Sequence, residues 1–108
     1  MALPHAQSGD VVDIRPYGQP LIDGAQSFAL FKARQLEVMR LVLPAGHEMP
    51  SHRVDGEITL QCLEGLVQID VEGRKRALAA GELMYVAGGL MHALKAEQAS
   101  SVLVTIAL

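Results

Sequence analysis

The chain has 108 residues, a formal net charge of −3, and apolar side chains at half of its positions. That length makes one domain that buries ~65% of its unfolded surface, and the apolar content excludes a disordered chain. With two Phe, two Tyr and no Trp, the core falls to Val, Leu, Ile, Met and Ala, and the stacking rings of a nucleic-acid surface are missing.

In chain order, residues 1–26 read as an N-terminal arm. Pro4, Gly9, Pro16, Gly18, Pro20 and Gly24 interrupt it, and only "VVDI" offers an edge strand. Its opening, "MALPHAQSGD", lacks the basic start and apolar core of a secretory signal. No run of about 18 apolar residues occurs, so no membrane span is expected and the cytoplasm is the default compartment. The chain runs out inside its last apolar segment, which leaves no regulatory tail to expect.

Residues 27–108 read as a β-barrel domain. Short apolar runs recur there at roughly the 8–12-residue spacing of a sandwich or barrel, separated by turn signals. They are "SFALF", "LEVMRLVL", "EITLQCLE", "LVQIDV", "RKRALA", "ELMYVA" and "SSVLVTIAL". Alternation puts Ile58, Leu60 and Cys62 on one face of their strand, and Val102, Val104, Ile106 and Leu108 on one face of theirs. "VEGRK" is a tight hairpin with Gly73 at positive φ. The Arg74-Lys75-Arg76 cluster beside it reads as solvated, not as a nucleic-acid contact. Cys62, the single cysteine, reads as a buried inert thiol, with a Cys62–His92 pair left open. "LEVMRLVL" is apolar on both faces and needs a second layer. A homodimer partner is the favoured cover, and the N-terminal arm is the alternative.

In this order the segments resemble the small single-domain cupins over about residues 35 to 107. Gly81, five residues, Ala87-Gly88-Gly89, two residues and His92 match the second cupin block, with Ala87 at the family's proline and Ala96 at its asparagine. Gly46, five residues and His52 match the start of the first block. Val54 then stands at the family's second histidine and Ile58 at its glutamate, with Glu57 one residue early. The resemblance implies an all-β, double-stranded β-helix (a jelly-roll barrel), often dimeric. It also implies a three-His, one-Glu metal centre, of which His52 and His92 remain.

Two imidazoles are short of the three protein ligands usual in a catalytic centre. His47 in the approach loop, or Glu57 if "RVDGE" bulges, is the candidate third ligand for a weakly bound divalent transition metal; His5 is more remote. Each has a plain alternative: a hydrogen-bonded barrel-mouth residue for His52, a strand cap for His92, a surface loop for His47, and solvent or Arg53 for Glu57. Met39, Met49, Met84 and Met91 are candidate pocket lining around His52 and His92, or simply core filler. The favoured reading is a non-enzymatic barrel that binds a small molecule with an incomplete metal set. A metal-dependent enzyme of dioxygenase or isomerase type and a ligand-free dimeric scaffold are the alternatives, so enzymatic activity stays open. No Gly-x-Ser-x-Gly, phosphate-binding glycine loop or His-Glu-x-x-His is present.

Overall fold

The structure is a computed structural model that describes residues 5–18 and 26–108. The breaks at Pro4, Pro20 and Gly24 lie outside those residues. Among the described residues the chain forms nine strands and no helix: β1 (Phe28–Lys32), β2 (Leu36–Leu43), β3 (Glu48–His52), β4 (Ile58–Glu64), β5 (Leu66–Val71), β6 (Arg74–Ala79), β7 (Leu83–Val86), β8 (His92–Ala96) and β9 (Ser100–Ala107). They make two antiparallel sheets, one ordered β1-β2-β9-β4-β7 and the other β3-β8-β5-β6, packed as a jelly-roll barrel.

Seven strands fall where alternation predicts them; β3 and β8 escape it. β3 reads "EMPSH", polar with a proline, a composition tolerated only on an edge strand. β8 reads "HALKA", whose Ala, Leu and Lys are helix formers that sheet pairing on both sides overrides. "VVDI" carries no strand; Val11 stands 97% exposed.

The inner faces follow the period of two. Ile58, Leu60 and Cys62 of β4 pair with Ile106, Val104 and Val102 of β9. From the other sheet they meet Val67, Ile69 and Leu94 in one core. Cys62 is fully buried there, its thiol donating to the Glu64 carbonyl at 3.3 Å, and burial pushes the thiol pKa up. A buried, protonated thiol is a poor nucleophile, and this one points at backbone carbonyls, not at His92. Between β5 and β6, Glu72 (φ 50°) and Gly73 (φ 85°) both take left-handed conformations, as a two-residue hairpin requires.

The outer face of β2 is covered from within the chain. Arg40, 2% exposed, lies between the Arg15 carbonyl (2.9 Å), Ser101 Oγ (3.1 Å) and Glu64 Oε2 (3.3 Å), with Tyr17 stacked on its guanidinium at 3.9 Å. Glu64 accepts from the Tyr17 and Gly18 amides and from Ser101 Oγ. Residues 15–18 therefore strap across the sheet where a second layer was expected, which is the intrachain alternative for this part of β2.

Burial is the largest influence on Glu64 and would raise its pKa. The Tyr17, Ser101 and Gly18 hydrogen bonds and the Arg40 charge outweigh it and hold the carboxyl below its ordinary value. A depressed carboxyl stabilises the fold fully above its unfolded pKa, near 4.5, and that contribution is lost as pH falls through the folded value. Glu64→Ala, which strands a buried guanidinium, is expected to cost ~3–5 kcal/mol in urea denaturation. Glu64→Gln should flatten the acid limb of the stability profile below about pH 4.5; an unchanged acid limb would show that the strap is not held by this carboxylate.

Candidate functional site

The two histidines of the cupin-like blocks meet through strand register. β3 pairs with β8 at Met49↔Leu94 and again at His52↔His92, three steps along β3 against two along β8. The extra residue falls at Pro50-Ser51. In a regular strand, residues three apart face opposite sides. The bulge cancels that, so Met49 and His52 both turn inward. The ring centroids of His52 and His92 lie 4.4 Å apart, tilted by 56°. His92 is 3% exposed, whereas His52 sits at the exposed rim.

Each ring is locked by the same local contact. His52 Nδ1 lies 3.3 Å from the Pro50 carbonyl and His92 Nδ1 lies 3.1 Å from the Leu90 carbonyl, in both cases two residues back. A carbonyl can only accept, so each Nδ1 carries the hydrogen. In the neutral ring that leaves the lone pair on Nε2. Such a carbonyl-fixed tautomer is the arrangement that orients imidazoles as ligands or acceptors.

Between the sheets lies a cavity of about 180 Å³ lined by Met39, Leu41, Met49, Val54, Ile58, Leu60, Leu94, Val104 and Ile106, with His52 and His92 as its only polar side chains among the described residues. Val54 and Ile58, at the positions of the missing family ligands, are thus wall residues presenting hydrocarbon. The loop carrying Val54 is held against the one before His92: the Gly89 amide donates to the Val54 carbonyl at 2.8 Å, and a side chain at Gly88 would collide with the Asp55 carbonyl.

The other candidates stand elsewhere. His47 is exposed in the turn before β3, at the end of that strand remote from His52. Glu57 is exposed and accepts the Tyr85 hydroxyl at 2.7 Å, while its neighbour Ile58 faces inward; no bulge returns Glu57 to the cavity. His5 is exposed and borders a separate surface depression with Phe28 and Leu30. Met39 and Met49 line the cavity, Met84 borders a different groove, and Met91 lines neither. Leu41, Leu94, Val104 and Ile106 are lining residues that sequence reasoning did not single out, although the inward parity of Val104 and Ile106 was visible. No group of three or more His, Cys, Asp or Glu able to hold a metal ion exists among the described residues.

The barrel matches solved structures across nearly its whole length. A conserved protein of unknown function from Streptococcus pyogenes superimposes with a TM-score of 0.77 at 21% identity, over 99% of this chain and 94% of that one. A cupin superfamily protein from Desulfitobacterium hafniense gives 0.75 at 17% identity, over 92% and 99% of the two chains. An RmlC-like cupin from Desulfovibrio desulfuricans gives 0.71 at 21% identity, over 83% and 94%. The chain has the cupin fold. No protein-family model matches the sequence, and no curated protein sequence matches it. Among the described residues of this cupin barrel no helix is long and apolar enough to cross a membrane.

The fixed tautomer gives a direct test. Long-range ¹H–¹⁵N spectra of the neutral side chains are expected to show His52 and His92 both protonated on Nδ1. Deleting Ser51 leaves Met49 and His52 two apart in a regular strand, so His52 should stay inward but lose the carbonyl two residues back that holds its Nδ1–H, with the His92 pattern intact. An Nε2–H ring at either position in the intact protein would refute the geometry.

Proposed function

We propose that this cupin-fold chain is a small-molecule-binding protein whose ligand occupies the apolar barrel cavity and is anchored on His52 and His92. The observation that supports this reading is a wall that, among the described residues, is apolar except for two imidazoles in a fixed tautomer. An apolar cavity of about 150 Å³ takes a benzene-sized molecule, and drug-sized pockets begin near 300 Å³. At about 180 Å³ the ligand is one ring or a short branched chain. The Nε2 lone pairs accept, so its polar group donates: a phenol or alcohol hydroxyl suits them.

The fixed tautomer also favours a second reading, a metal-dependent enzyme, because it presents two nitrogen lone pairs side by side. The residues around them do not complete a metal set. Val54 and Ile58 offer no donor, and His47 and Glu57 would each have to leave its present place. Two imidazoles on a hydrocarbon wall are one protein ligand short of a usual catalytic centre.

Elemental mass spectrometry of untagged protein, with His52→Ala and His92→Ala beside it, separates the readings. Metal well below one per chain and unaffected by either variant is expected. Phenol, followed by ligand-observed NMR, is expected to bind and to lose up to about tenfold in affinity in His92→Ala, as removal of one hydrogen bond predicts. One metal per chain, lost in both variants, would replace the binding reading with the enzyme.

A further inference from the structure

A second, larger concavity lies outside the barrel. It is a groove of about 650 Å³ between the free edges of β6 and β7, the strands that end the two sheets. Its character comes from the inner face of β6. Register pairs Val67, Ile69 and Val71 of β5 with Leu78, Arg76 and Arg74 of β6. Val67, Ile69 and Leu78 belong to the buried core, so alternation turns Arg76 and Arg74 to the same, core-facing side of the sheet. Both arginines are nevertheless exposed, and both line the groove.

The opposite wall is apolar. Met84 and Leu90 are half-buried and pack on the core, while Leu83 and Tyr85 are 63% and 61% exposed at the groove. Two acids also border it, but both are engaged. Glu72 accepts the Met91 amide at 2.9 Å and Glu82 accepts the Ala79 amide at 2.8 Å. Among the described residues, no carboxylate lies within ion-pair distance of Arg74 or Arg76; the pairs formed are Asp13–Arg15, Glu64–Arg40 and Glu48–Lys95.

We infer that this groove is a second binding site, separate from the barrel, for small organic anions: an apolar body resting on Met84, Tyr85 and Leu90, with a carboxylate, sulfonate or similar head between Arg74 and Arg76. The volume falls in the range of drug-sized ligand sites, and the guanidinium forks suit planar oxyanions. Lys75, between the two arginines, faces the opposite side of the sheet with Asp70 and Gln68 and takes no part.

The test uses 8-anilinonaphthalene-1-sulfonate as probe and N-phenyl-1-naphthylamine as the same body without charge. Fluorescence titration of the folded protein is expected to show one saturable sulfonate site. Its affinity falls roughly tenfold in Arg74→Gln/Arg76→Gln and is largely kept in Arg74→Lys/Arg76→Lys. The uncharged probe should bind wild type and the Gln double variant alike. Both arginines are exposed, so the variants are expected to fold, and far-ultraviolet circular dichroism checks this. Equal sulfonate affinity in wild type and the Gln double variant would reduce the inward arginines to edge protection against strand pairing and overturn the site. Loss of binding in His92→Ala would place the probe in the barrel instead. Affinity that falls as protein concentration rises would give the groove to a second copy of the chain.

Discussion

One extra residue in β3 decides what the barrel can do. Pro50 and Ser51 absorb a one-residue shift between the Met49 and His52 pairings, and that shift turns His52 to the side on which His92 already stands. Were the same residues paired in regular register, the rim histidine would face solvent, and the cavity would be hydrocarbon with one imidazole. The bulge works because β3 is an edge strand: among the described residues only β8 pairs with it, so the lost ladder contacts cost little. Proline belongs there for the same reason, since its missing amide would be unsatisfied inside a sheet.

The site is held by contacts that reach no further than a few residues. Each imidazole is fixed by the carbonyl two positions before it, and the two loops below them are joined by the Gly89–Val54 hydrogen bond. Around this frame the wall is apolar where a cupin metal centre would have ligands. Replacing a histidine by Val54 and a glutamate by Ile58 removes two donors and adds surface that favours a ligand with little charge. On the proposed reading, the chemistry left to the cavity is acceptance of a hydrogen bond.

Long-range order on the opposite side of the larger sheet comes from charge. Arg40 and Glu64 are taken out of water together, and their cost is offset by backbone amides, Ser101 and the Tyr17 ring; only Arg40 Nε is left without a hydrogen-bond partner among the described residues. The pair ties residues 15–18 across β2, so this piece of the N-terminal arm is part of the domain's packing. At its β7 edge the same sheet borders a groove that the exposed Arg74 and Arg76 of β6 also line. One ion pair therefore ties residues 15–18 to one side of the barrel, and two arginines without a carboxylate partner among the described residues stand at another.

The sequence by itself determined the strands whose period of two is strong. β2, β5 and β6 begin and end where their apolar runs do, and the inward parity of Ile58, Leu60, Val102 and Val104 could be read directly. The glycine and histidine spacing around His52 and His92 named the fold and the central pair. Tertiary structure alone decided the rest. β3 and β8, the strands that carry those histidines, have compositions that argue against a strand, and pairing with neighbours overrules them. The bulge in β3, the separation of His47 from His52 and the outward turn of Glu57 depend on register, which a local pattern does not encode. The cover over Arg40 depends on a contact between residues 24 to 47 positions away along the chain. Alternation tells which side chains share a face; only the packed sheets decide what lies opposite them.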